Sequence, residues 1–156
     1  MKSLIVVYSY HHKNTQKIAD AIAEVLGAEV KSPQDAVPEE IQSYDLVGFG
    51  SGIDSGKHYA PMLEFAETLP VVQDKRAFIF STSSFSGERK MKNDHSALRE
   101  ILFSKGYKID DEFHCQGFNT NSILRYFGGI NKGRPNADDL AAAHQFAQNL
   151  NYYYTD

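Results

Sequence analysis

The chain has 156 residues, 42% hydrophobic and 23% charged, with one cysteine and no tryptophan; that suffices for one domain over residues 1–156 with a core needing no disulfide or structural metal. Sixteen Lys and Arg against twenty Asp and Glu leave a net charge of −4, which argues against general nucleic-acid binding, since that normally needs a basic face. Cys115 alone makes neither an internal disulfide nor a multi-thiolate zinc site, the apolar run Leu4–Val7 is too short for a secretory signal, and nothing nears the length of a membrane span. The expectation is a cytoplasmic protein that does not engage membranes.

In chain order, Leu4–Tyr8 reads as a buried strand, because it is a short apolar run without polar alternation. Ile18, Ile22, Val25 and Leu26 then keep one helical face, which Gly27 stops. A weaker strand follows at Ala28–Lys31, and a strong one at Asp45–Phe49. Met62, Phe65, Ala66 and Leu69 repeat at helical spacing between Pro61 and Pro70. Arg76–Phe80 is the next strand, and Leu98, Ile101 and Leu102 form a helix bounded by Asp94 as N-cap and Gly106 as stop. A less regular strand spans Tyr107–Cys115. The last helix opens at Asn136, with Asp139 in the capping-box position.

Such alternation predicts an α/β fold of three layers. Its centre is a doubly wound five-stranded parallel sheet in the flavodoxin-like order 2-1-3-4-5. Gln116–Pro135, with four glycines, is the one long irregular stretch. Connections of that length inside a domain are usually functional or mobile.

Ligands of open parallel sheets bind beyond the carboxyl ends of the strands, at the switch in winding direction. Three loops there are dense in hydroxyls and small residues: Ser9–Thr15, Gly50–Tyr59 and Ser81–Gly87. The first leads straight into a helix, so its amides, with Ser9, Asn14 and Thr15 as further donors, suit an anion. His11, His12 and Lys13 add positive charge. The blander alternative is that Asn14 or Thr15 only caps the helix.

These residues resemble a family. Tyr8-Ser9-Tyr10-His11-His12-Lys13-Asn14-Thr15 is similar to the phosphate loop of flavodoxin-like FMN proteins, with Lys13 where that pattern carries glycine. Val47 to Lys57 resembles their second flavin loop, and Phe80-Ser81-Thr82-Ser83 the start of their third. The likeness covers nearly the whole chain in element order. It implies FMN, with the phosphate at Ser9, His11, Lys13, Asn14 and Thr15. The ring would lie beside Gly52, Ile53 and Asp54 on one loop and Thr82, Ser83, Ser84 and Phe85 on the other. Asp54-Ser55 stands where an aromatic often stacks on the ring, which leaves that role to Tyr59 or Phe85, or else leaves the flavin face open to a substrate.

Rival motifs fail. Gly56-Lys57 nearly completes a P-loop, but Ser51 and His58 occupy two of its key positions; no G-x-G-x-x-G or G-x-S-x-G occurs. His11 and His12 diverge as neighbours, so no metal is expected. No Ser–His–Asp pattern is legible, and no catalytic protein residue is expected. Two classes remain open. One is an FMN-dependent redox protein serving a partner protein or a small acceptor such as a quinone, with the flavin supplying the chemistry. The other is a flavin-free module for a phosphate ligand or protein partner. Tyr152–Tyr154 leave surface packing or a homodimer contact open.

Overall fold

A computed structural model describes residues 1–10, 12–118 and 129–155. His11, and residues 119–128 of the long glycine-bearing stretch, lie outside them. The strands are β1 (Ser3–Tyr8), β2 (Glu29–Lys31), β3 (Leu46–Asp54), β4 (Lys57–His58), β5 (Lys75–Ser83) and β6 (Tyr107–Gln116). The helices are α1 (Asn14–Leu26), α2 (Ala60–Glu67), α3 (Glu88–Asp94), α4 (Ser96–Ser104) and α5 (Ala137–Thr155), with a 3-10 turn at Pro38–Ser43.

Five strands run parallel in the order β2-β1-β3-β5-β6, and β4 pairs antiparallel with β3 outside that path. With β4 set aside, this is the expected 2-1-3-4-5 arrangement. Successive side chains of a strand face opposite layers. Leu4, Val6, Val47, Phe49 and Ile79 therefore pack with Met62 of α2 and with Leu98 and Leu102 of α4. Ile5, Val7, Leu46, Phe78 and Phe80 pack with Ile18 and Ile22 of α1 and with Phe146 and Leu150 of α5. Each such side chain contributes about 1.5–3 kcal/mol by leaving water. Both faces are covered, which is why the strands read as continuous apolar runs.

Local signals explain the helix ends. Gly27 closes α1 at φ 64, and its amide donates to the Ala23 carbonyl. At α5 the expected box forms: the Asp139 amide donates to Asn136 Oδ1 at 3.0 Å, and the Asn136 amide to Asp139 Oδ2 at 2.8 Å. Asp94 is not an N-cap. It ends α3, buried and ion-paired with Lys90, and His95 joins α3 to α4.

The third strand is also longer than its apolar run. Parallel pairing carries it to Gly52, with Gly50 opposite both Val7 and Phe80, and antiparallel pairing with β4 carries it on to Asp54, so half of the expected loop is strand. Ser55 and Gly56, both at positive φ, then turn the chain into β4. Two central residues at positive φ match the twist of a tight hairpin. Among the described residues, no helix is long and apolar enough to cross a membrane.

Candidate functional site

The carboxyl ends of β1, β3 and β5 lie side by side, with Tyr8 opposite Ser51 and Gly52 opposite Thr82. The β1 end runs into α1 through Lys13, whose backbone is left-handed (φ 54) and whose side chain makes no cap. Asn14 and Thr15 do not cap either; both are buried and reach sideways. Thr15 Oγ1 meets Thr82 Oγ1 at 2.8 Å, tying the first loop to the third. Asn14 Nδ2 donates to the Phe118 carbonyl at 2.8 Å, tying it to the chain beyond β6. Ser9 Oγ does the capping work instead, accepting from the Gln16 amide at 3.2 Å. The opening amides of a helix lack intrahelical acceptors and carry its positive dipole end.

The β3–β4 hairpin forms a second wall. Ser51 Oγ accepts from the Tyr59 amide at 3.1 Å and donates to the Gly52 carbonyl. This folds the Tyr59 ring back over Gly52, where a Cβ would lie 2.5 Å from the ring. Only glycine allows that approach. Tyr59 also meets the edge of Tyr8 at 5.9 Å. Burial raises the pKa of its hydroxyl, and the neighbouring Asp54 charge adds to the rise.

The third wall is the loop after β5, held from several sides. The Gly117 amide donates to the Ser83 carbonyl, Asn131 Nδ2 to the Ser84 carbonyl, and the Gly87 amide to His114 Nε2. Burial lowers the His114 pKa, which keeps the ring a neutral acceptor. Beyond β6, Phe118 packs on His12 at 4.3 Å, and Gly117 passes so close to Asn14 that a Cβ would lie 2.6 Å from Nδ2.

Together these walls enclose a cleft with about 400 Å³ of empty space, counted out to solvent. Hydroxyls and amides of Asn14, Thr15, Thr82, Ser83 and Ser84 line it, with Gly52, Ile53 and the rings of Tyr10, Tyr59 and Phe118. Of the residues expected from sequence, Asn14, Thr15, Gly52, Ile53, Thr82, Ser83 and Ser84 meet there. Ser9 supports the cleft from the start of α1. Lys13, Asp54 and Phe85 are exposed around it and do not line it. His11 lies outside the described residues. Gly117 and Phe118 were missed, although the parallel order of the strands puts the end of β6 at the same edge.

Ser81, His95 and Glu112 form a hydrogen-bonded chain that sequence spacing concealed. Ser81 Oγ lies 2.7 Å from His95 Nε2, and His95 Nδ1 lies 2.8 Å from Glu112 Oε1. The order is that of an activated serine, yet Ser81 and His95 are fully buried, so no substrate reaches the hydroxyl. Burial pushes the Glu112 carboxyl upward, but hydrogen bonds from His95 and Arg99 outweigh it and hold the pKa at about 2. Cys115 is inert as well, because burial raises its thiol to about 12. Among the described residues, no cluster of His, Cys, Asp or Glu could hold a metal ion.

Residues 5–149 match the flavodoxin domain. The chain belongs to the flavodoxin family. An uncharacterised protein of Methanocaldococcus jannaschii is 45% identical over 150 residues, spanning 96% of this chain and 98% of that one. Among solved structures, a flavodoxin from the domain Archaea superposes with TM-score 0.74 at 18% identity, covering all of both chains. A Fusobacterium nucleatum flavodoxin bound to flavin mononucleotide gives 0.65 at 15% identity, covering 98% of this chain and 99% of its own. The flavodoxin fold also occurs within a larger protein: Desulfovibrio gigas rubredoxin:oxygen oxidoreductase matches 95% of this chain with 35% of its own, at TM-score 0.64 and 17% identity.

Proposed function

We propose that residues 1–156 form a single FMN-binding domain that carries electrons between a donor and a redox partner protein or a small acceptor such as a quinone. The observation that carries this is that one cleft is lined by both kinds of surface. Asn14 and Thr15 at the start of α1, with Thr82, offer polar groups to a phosphate. The rings of Tyr10, Tyr59 and Phe118 offer faces to a flat heterocycle. A phosphorylated flavin needs those two surfaces together. The relative found with flavin mononucleotide supports the same ligand.

The residues present fit that group. Ser9, Asn14 and Thr15, with Lys13 and the α1 amides, would hold the phosphate; His11, expected there from sequence, lies outside the described residues. The hairpin from Gly52 to Asp54 and the loop from Thr82 to Phe85 would flank the ring, with Tyr59 beside it. The flavin would supply the electron chemistry. The chain orients it, and the Thr15–Thr82 and Asn14–Phe118 bonds keep the walls at fixed spacing. Neither the buried Ser81 nor the protonated Cys115 offers a protein nucleophile.

Titrating flavin-free protein with FMN and with riboflavin tests the reading. FMN should bind at least about tenfold more tightly, because one hydrogen bond to a charged group contributes about 1.5–3 kcal/mol. Equal affinities would reject the phosphate assignment. Failure to bind either would favour the flavin-free module.

A further inference from the structure

The net charge of the chain is negative, but its mouth is not. Lys13 stands on the first loop and Lys57 on the hairpin; Arg89, Lys90 and Lys92 stand on α3, and Lys132 beyond β6. Against these six cations the described residues of the same walls carry Asp54, Glu88 and Asp94; Arg134 beyond β6 is paired with Asp139, and Asp138 stands exposed beside that pair. Three contacts place these elements. α3 packs against β4, Gly56 lies near Asp94, and Asn131, next to Lys132, is bonded to the third loop. Asp94 is spent on Lys90. Glu88 meets Lys92 at 3.4 Å, both ends well exposed, so that pair is weak. Among the described residues no carboxylate makes an ion-pair contact with Lys13, Lys57, Arg89 or Lys132, although Asp54 is the cross-strand neighbour of Lys57.

A bound phosphate monoester at the start of α1, with a charge of about −1.5 to −2, would more than offset Lys13. It would leave Lys57, Arg89 and Lys132, which rise from the hairpin, α3 and the last segment rather than from the helix start. Two aromatic side chains on the same loops are exposed: Tyr10 at 67%, which also lines the cleft, and Phe85 at 62%. Exposed aromatic anchors inside a charged rim are the anatomy of a protein–protein contact, where the rim steers the encounter and the rings bury on docking. A small anion would need the charge and not the rings.

Building on the electron-carrier reading, we infer that the cleft mouth docks an acidic protein partner, one whose negative surface surrounds its own redox centre. Association rates test it on the purified chain, with and without added FMN. The probes are an acidic plant-type ferredoxin, a basic mitochondrial cytochrome c and a single-stranded oligonucleotide. At an ionic strength of about 0.01 M the ferredoxin should associate faster than the cytochrome, and the preference should collapse at about 0.15 M, where the Debye length shrinks to roughly 8 Å. The double variant Lys57→Glu/Arg89→Glu should slow the ferredoxin about tenfold at the lower salt, within the usual reach of electrostatic steering. Lys105→Glu/Lys108→Glu makes the same charge change at the opposite sheet edge and should slow it far less.

Equal slowing by both double variants, faster association with the cytochrome, or tighter binding of the oligonucleotide would each overturn the inference. Charge selectivity in a chain that takes up no FMN would fail the electron-carrier reading and leave the docking face standing. FMN uptake without selectivity would do the reverse.

Discussion

Thr15 and Thr82 face each other at 2.8 Å, and a hydroxyl hydrogen bond has only one donor, so one hydroxyl keeps a proton to give elsewhere. In the proposed site that proton would be available to the FMN phosphate. Thr15→Val, close in shape, should weaken FMN binding by about 1.5–3 kcal/mol and leave riboflavin binding almost unchanged. Parallel titrations read both, and equal losses for the two ligands would assign Thr15 to wall spacing instead. Asp54 acts at the other end. Exposed at the hairpin tip, opposite Lys57 and felt by Tyr59, it would place a carboxylate near the flavin ring if the proposed site holds FMN. A carboxylate disfavours the negative charge that a flavin gains on reduction. Asp54→Asn should therefore raise the bound flavin's second one-electron potential by some tens of millivolts, since tenfold in a one-electron equilibrium is about 59 mV. The rise should shrink with salt. Spectroelectrochemical titration at two ionic strengths decides, and an unchanged or lowered potential would remove Asp54 from the flavin's surroundings.

The β3–β4 hairpin rests on His58, which is fully buried against His95 at a ring distance of 4.9 Å. Its Nε2 lies 3.1 Å from the Phe80 carbonyl, which makes that nitrogen the donor. Burial first, and the nearby His95 second, lower its pKa from 6.5 to about 3, with Glu112 and Arg99 the other charged groups around it. Between those values the unfolded chain binds a proton that the folded chain refuses, so stability is full above pH 6.5 and falls toward pH 3. Glu112, lowered from 4.5 to about 2, adds loss only below pH 4.5. Urea unfolding at pH 7 and pH 5 should show the wild type losing at least roughly 1.4 kcal/mol per pH unit below the unfolded histidine value. His114, also lowered by burial, adds to the loss, and His58→Gln should make the decline shallower. Equal wild-type stability at the two pH values would contradict the account. This hairpin is also the element least legible in the sequence. Gly50-Ser51-Gly52 has poor strand propensity, and only pairing with β1 and β5 makes it strand. The five parallel strands were legible because burial on both faces leaves unbroken apolar runs. The Asn136–Asp139 cap was legible because it is local. The Ser81–His95–Glu112 chain was not, because its members come from three elements far apart in sequence.

At the scale of the molecule, parallel winding brings every loop with chemistry to one sheet edge. The three hydroxyl-rich loops could be found from sequence, since each directly follows an apolar run. The fourth wall, Gly117 and Phe118, arrives only through the position of β6 in the sheet. The same winding collects the cations of the mouth while the acidic excess lies elsewhere, which net charge alone concealed. All of this turns on one claim, that the cleft holds FMN. Purification without added cofactor, followed by denaturing extraction and chromatographic identification of the released chromophore, tests it most directly. The account predicts a yellow protein releasing FMN at close to one per chain. A colourless chain that takes up no FMN on incubation, or one that releases FAD or riboflavin, would contradict it.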